Sequence, residues 1–339
     1  MNFTISISAL EYRENTICDT KDTIHSKFRI GRCFIAILAV FKETGGMEMK
    51  KVLKQIAKAL GYFAVYYIIQ NLVTGVAGYV LGVKYGPELK AAGLGFQEYM
   101  VEMQKHMSSL NGICLIISAV LTLLVYFIIE KIKKTSIVRE TDTRKVSGRY
   151  IGLTVLAATG AMFFLNYIIN ILPIPSELMG GLSEGMKKLT SYPMWQALLA
   201  NSLLIPILEE VVFRGYLFSR LSKAMPEIVA ALITSVIFGL CHGGIVWATW
   251  AFVFGMIICV FRIKTGSIVP GMIFHIIMNT FSTLTSYTPL LNDVSKTAMT
   301  VYTVIGGIVL AAALAVTLKS KKATIEDNTA DVTISTAKV

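Results

Sequence analysis

One apolar stretch of this chain carries charges that a hydrophobic helix should exclude. It runs from Asn201 to Gly215 and holds Glu209, Glu210 and Arg214. Two later apolar stretches hold the other unexpected polar groups: His242, four residues after Phe238, in one, and His275 and Asn279, four apart, in the other. Carboxylates and imidazoles can exchange protons near neutral pH. A guanidinium pairs a carboxylate and a carboxamide donates hydrogen bonds. Such a set suits bond hydrolysis, ion or proton transfer, or structural pairing within a bundle.

The spacing narrows these choices. Glu210 and Arg214 share a helix face and can pair. Glu209 points about 100° away from Glu210, so one carboxylate can be held by the arginine while the other faces a cavity. Taken alone, a structural ion pair with a snorkelling glutamate explains this stretch equally well. The histidines shift the balance. The chain has four; His25 in the N-terminal segment and His106 in an exterior loop are incidental. A lone intramembrane histidine usually bonds one helix to another. Two histidines, an asparagine, two glutamates and an arginine within 71 residues of mostly apolar sequence are poorly explained that way.

The elements that position these residues follow from composition. Hydrophobic residues make up 54% of the 339, charged residues 16%, and mean hydropathy is +0.64. A soluble domain carries about a quarter charged residues. A soluble globule, a disordered chain and a nucleic-acid-binding module are therefore excluded, and no nucleic acid partner is expected despite a net charge of +11. Apolar segments at about 60–83, 110–129, 150–172, 194–221, 226–242, 245–261, 268–286 and 297–318 imply an all-α polytopic bundle of about eight helices enclosing a polar cavity. Spans of a β-barrel would be shorter and alternating. The connections on one side hold nineteen Lys and Arg, those on the other six, which predicts both ends of the bundle in the cytoplasm. The five cysteines show no paired spacing, so no disulfide framework is expected.

Residues 1–48 read as an extension, with translation expected to start at Met47 or Met49 in a bacterial manner. Residues 49–322 form the membrane domain, with its core at about 190–285, and residues 323–339 a disordered cytoplasmic tail. A tight turn near residues 223–226 makes a hairpin of the fourth and fifth segments. Counting from residue 225, Glu209 lies 16 positions back and His242 17 forward, so both come level about 24–26 Å from the turn. His275 starts its helix from the same side, and all these groups can meet at one depth. Pro206, just before Glu209, is expected to kink the fourth segment.

With Glu209-Glu210-x-x-x-Arg214, Phe238-x-x-x-His242 and His275-x-x-x-Asn279 in hand, the sequence resembles the CAAX protease and bacteriocin-processing family of intramembrane endopeptidases, which includes the type II CAAX prenyl endopeptidases. The three motifs occur in the family's order over roughly residues 190–285. The resemblance implies that Glu209 and His242 activate a water molecule and that His275 and Asn279 form an oxyanion hole. Glu210 and Arg214 would support that site, with Phe238 belonging to the second motif. The chemistry agrees: peptide hydrolysis needs a base for water and donors for the developing oxyanion.

No H-E-x-x-H zinc motif is present. A metal-dependent version of the site would use Glu209, His242 and His275 as zinc ligands; the metal-free glutamate mechanism is favoured, and no cofactor is expected. The expected partners are the lipid bilayer and a peptide or membrane-protein substrate. The leading alternatives are an ion- or proton-coupled transporter using the same carboxylates and a non-catalytic immunity factor or scaffold. The His–Asn pair beside Glu–Glu fits hydrolysis better.

Overall fold

The structure, a computed structural model, describes residues 49–288 and 294–322. The expectations for residues 1–48 and 323–339 lie outside the described residues. Each of the eight apolar segments forms a helix: α1 (Met49–Ala91), α2 (Phe96–Ile132), α3 (Gly148–Ile171), α5 (Met194–Leu221), α6 (Glu227–Leu240), α7 (Ile245–Thr265), α8 (Val269–Tyr287) and α9 (Lys296–Lys319). A further helix, α4 (Ser176–Leu189), lies in what the sequence presented as an exterior connection. Its apolar residues are interrupted by Glu, Lys and four Gly or Ser, so it lacks the signal of a span.

The chain is a polytopic all-α membrane protein, with no strand among the described residues. By length and composition α1, α2, α3, α5, α7 and α9 are each long and apolar enough to cross a bilayer. At 14 residues, α6 is shorter. Of the apolar stretch of α5, 67% is buried, against 22–39% for the other five. So α5 is the axis of the bundle, and the others turn apolar side chains such as Ile68, Leu124, Leu156 and Ile308 outward, as a lipid environment permits.

The packing around this axis is specific. α1 packs on α2, α6 on α7, and α9 on α3. In the last pair Gly160 and Gly306 bring the backbones together: a Cβ at Gly160 would lie 2.5 Å from the Leu310 nitrogen. Close approach through glycine is a common solution in lipid, where helix association depends on packing. α8 packs against both α3 and α5.

The axis helix is not regular. Its backbone widens to i→i−5 bonding over Leu198–Leu204 and again over Val211–Leu217, with regular α turns over Ile205–Glu210 between them. The first widening ends where the Ile205 N–H bonds the Ala200 carbonyl. Pro206 supplies a reason: its ring has no N–H and collides with the carbonyl four residues back in a regular helix. Where the sequence suggested a kink at Pro206, the backbone has a wide turn just before it, and a second follows directly after Glu210.

The far end of α5 is pinned by ion pairs. Arg262 of α7 donates to Asp142 at 2.6 Å and to the Ser219 hydroxyl at 2.8 Å, and its Nε donates to the Arg214 carbonyl at 3.3 Å. Arg220 pairs with Glu140 in the short helical turn Ile137–Glu140.

Candidate active site

The regular turn between the two wide ones presents Glu209 and Glu210, both buried. Arg214, one turn on, is fully buried and donates from Nη1 to Glu210 Oε1 at 2.8 Å. The pairing expected from the i, i+4 spacing is therefore made. α8 brings His275 to the same place: its Nδ1 lies 3.1 Å from Glu210 Oε1 and its Nε2 3.7 Å from Glu209 Oε2. The imidazole thus stands between the two carboxylates. Glu209 and Glu210 do differ in partners, as their divergent directions require, since the arginine takes Glu210 alone.

Phe238 joins α6 to this group. Its ring lies under the Arg214 guanidinium at 4.5 Å and meets the rings of His242 at 4.6 Å and His275 at 5.9 Å. Stacking of a desolvated arginine on an aromatic face adds attraction beyond burial. His242 lies in the turn just beyond α6 rather than within the helix. Its Nδ1 is 2.8 Å from the Phe238 carbonyl. A carbonyl only accepts, so Nδ1 carries the proton and, in the neutral ring, Nε2 has the lone pair.

Asn279, one turn after His275, donates from Nδ2 to the Asn201 carbonyl at 2.9 Å, tying α8 to the first wide turn of α5. An amide nitrogen has two hydrogens, so one remains for another acceptor. On the same seam Ser202 donates to Thr283 at 3.1 Å.

Two glycines make room for the ion pair. A Cβ at Gly271 would lie 2.6 Å from Glu210 Oε2, and one at Gly255 would lie 2.8 Å from Arg214 Nη2. Among the described residues, Glu210 Oε2, Arg214 Nε and Arg214 Nη2 are buried and have no hydrogen-bond partner. Sequence reasoning missed both glycines, because glycine is ordinary in membrane helices. It also missed a second polar cluster. Glu130, buried near the end of α2, accepts from Tyr62 and from Lys133, and Tyr62 stacks on Tyr216 at 3.8 Å in the second wide turn. Glu130 lies one residue past the apolar segment 110–129, where a carboxylate reads as part of a loop.

Among the described residues no group of three or more His, Cys, Asp and Glu is placed to hold a metal ion. Of the alternative zinc set Glu209, His242 and His275, His275 Nε2 lies 3.7 Å from Glu209 Oε2, and His242 keeps Nδ1 on the Phe238 carbonyl.

Residues 191–281, which contain all three motifs, match the family model described as "Type II CAAX prenyl endopeptidase Rce1-like". The chain is 29% identical over 113 residues to the "Putative membrane peptidase YdiL" of Bacillus subtilis (strain 168), a match covering 33% of this chain and 46% of that one. It is 27% identical over 129 residues to the "UPF0177 protein YxdF" of Lactococcus lactis subsp. lactis (strain IL1403), covering 36% of this chain and 71% of that one. The match therefore spans less than half the length of the first relative. No solved structure matches. The resemblance seen in the motifs is thus to a family of membrane peptidases, and it rests on the segment that builds the buried site.

Proposed function

We propose that this protein is an intramembrane endopeptidase that hydrolyses a peptide bond with water activated at Glu209. The observation that carries this reading is the buried assembly of Glu209, Glu210, Arg214 and His275 on two helices of an apolar bundle. The similarity of residues 191–281 to a peptidase family, and the name of the Bacillus relative, support the reaction class.

In this mechanism Glu209, with the lone pair of His242 Nε2 as partner, takes a proton from water as its oxygen attacks the scissile carbonyl. The proton passes to the departing amide nitrogen, and the products are a free carboxylate and a free amine. His275 and Asn279 donate to the oxygen that gains charge. Asn279 does so with the amide hydrogen not given to Asn201. His275 holds Nδ1–H on Glu210, so donation from Nε2 requires a proton on each ring nitrogen. Arg214 balances Glu210 and keeps that carboxylate in place. The mechanism runs without metal, a reading favoured by the lack of an H-E-x-x-H motif in the sequence.

The substrate is a peptide or the tail of a membrane protein. The protein sits in the plasma membrane with both ends of the bundle in the cytoplasm, as the excess of Lys and Arg in the connections on that side favours.

Reconstitution in liposomes with membrane-tethered reporter peptides, in water enriched in oxygen-18, tests this. Released fragments are expected to carry the heavy oxygen in the new carboxylate. Ion flux driven by the same carboxylates, with no peptide cleaved, would overturn the proposal in favour of a transporter.

A further inference from the structure

α4 docks directly on the turn that carries His242. Gly181 and Gly185 lie four apart on one face of α4. A Cβ at Gly181 would stand 2.7 Å from the Gly244 Cα, and one at Gly185 would collide with the Trp247 ring. Gly244 itself has φ +79°, a conformation open to glycine and costly for other residues, so the turn after His242 is sharply shaped. Trp247, on the first turn of α7, meets the His242 ring edge-on at 5.5 Å and 67°. Phe238 also meets that ring, at 4.6 Å and 63°. The imidazole is thus held by one hydrogen bond and two aromatic rings, and one of these, Trp247, is backed by α4.

We propose that Trp247 is a positioning residue for His242, fixing the imidazole with Nδ1–H on the Phe238 carbonyl so that Nε2 keeps its lone pair for the reaction, and that α4 holds Trp247 in place. The inference rests on the peptidase reading for its catalytic consequence but not for its structural one. Hydrogen bonding at one ring nitrogen sets the role of the other. Without Trp247 the ring gains freedom about its side-chain bonds and Nδ1 can leave the carbonyl. The proposal gives Trp247 a role through His242 and none in holding the peptide, so turnover should suffer and affinity should not.

The test uses the full chain in detergent or liposomes, labelled with nitrogen-15 in its histidine rings. The His242 signal is assigned by its loss in His242→Ala. The wild type should show His242 protonated on Nδ1, and Trp247→Ala should show a mixture of tautomers. Gly185→Ala, which displaces the Trp247 ring without altering it, should give the same mixture, and Trp247→Phe should restore the wild-type signal. With a cleavable peptide, Trp247→Ala should lower kcat by roughly a hundredfold with KM unchanged, the usual scale for a misplaced reacting group. A wild-type tautomer signal in Trp247→Ala would overturn the proposal. So would a defect confined to KM, or one that Trp247→Phe does not repair. A wild type that cleaves nothing would sink the peptidase reading alone, since the nitrogen signals still decide the role of Trp247.

Discussion

Asn279 gives one amide hydrogen to Asn201 and keeps one. In the proposed mechanism the second hydrogen meets the substrate oxygen only as it gains charge. Removing such a donor costs about 2.7–4 kcal/mol in the barrier, a hundred- to a thousandfold in rate. Asn279→Ala should therefore depress kcat by that factor and leave KM almost unchanged; steady-state kinetics on a reporter peptide would show it. A variant whose only defect is weaker binding would place Asn279 in substrate contact instead. Gly271 makes an independent point. Gly271→Ala puts a methyl group where Glu210 Oε2 now lies 2.6 Å away. The carboxylate must move, taking its bonds to Arg214 and His275 with it, so activity should fall about tenfold or more, in line with the cost of overpacking a tight site of about 1–3 kcal/mol. Normal cleavage by Gly271→Ala would show that Glu210 has slack. The charged residues were legible in the sequence because an apolar helix cannot hide them. Gly271 and Gly255 were not, because their role lies in which atom stands above them.

At the scale of the element, α5 shows both what patterning reveals and where it stops. The 194–221 segment and the i, i+4 pair were readable. The two wide turns were not: i→i−5 bonding leaves no periodic mark over seven residues, and such turns recur at functional sites. The hairpin count expected Glu209, His242 and His275 at one depth; what it left open is that His275 stands between Glu209 and Glu210. Arg214 binds this element together. It pairs with Glu210, lies on Phe238 and lends its carbonyl to Arg262. Breaking a buried pair by removing one partner costs about 3–5 kcal/mol. Arg214→Ala should accordingly lower the melting temperature in detergent as well as the activity. Arg214→Lys should recover less than its charge implies, because an ammonium does not stack as a planar guanidinium does. An inactive Arg214→Ala protein that melts like wild type would assign the arginine to the substrate.

For the whole molecule, composition together with the length of the apolar segments was enough to define an all-α membrane protein. What composition missed is α4, whose mixed sequence resembles a loop but which packs through glycines against the turn bearing His242. The buried cluster of Glu130, Lys133 and Tyr62 beside the second wide turn was hidden for a similar reason, at the border of an apolar segment. The Glu130 cluster braces the axis helix through Tyr216, and α4 braces the turn bearing His242. The central claim remains that Glu209 is the base inside this brace. The decisive measurement is the cleavage rate of the protein reconstituted in liposomes, wild type against Glu209→Gln, each with and without a strong chelator. Glu209→Gln keeps the shape of the side chain and removes its basicity. The account predicts that the wild type cleaves at the same rate with and without chelator, while Glu209→Gln, folded and with an unchanged melting profile, falls by at least about a hundredfold. Cleavage by Glu209→Gln at the wild-type rate, or a wild type silenced by chelation and revived by zinc alone, would contradict it.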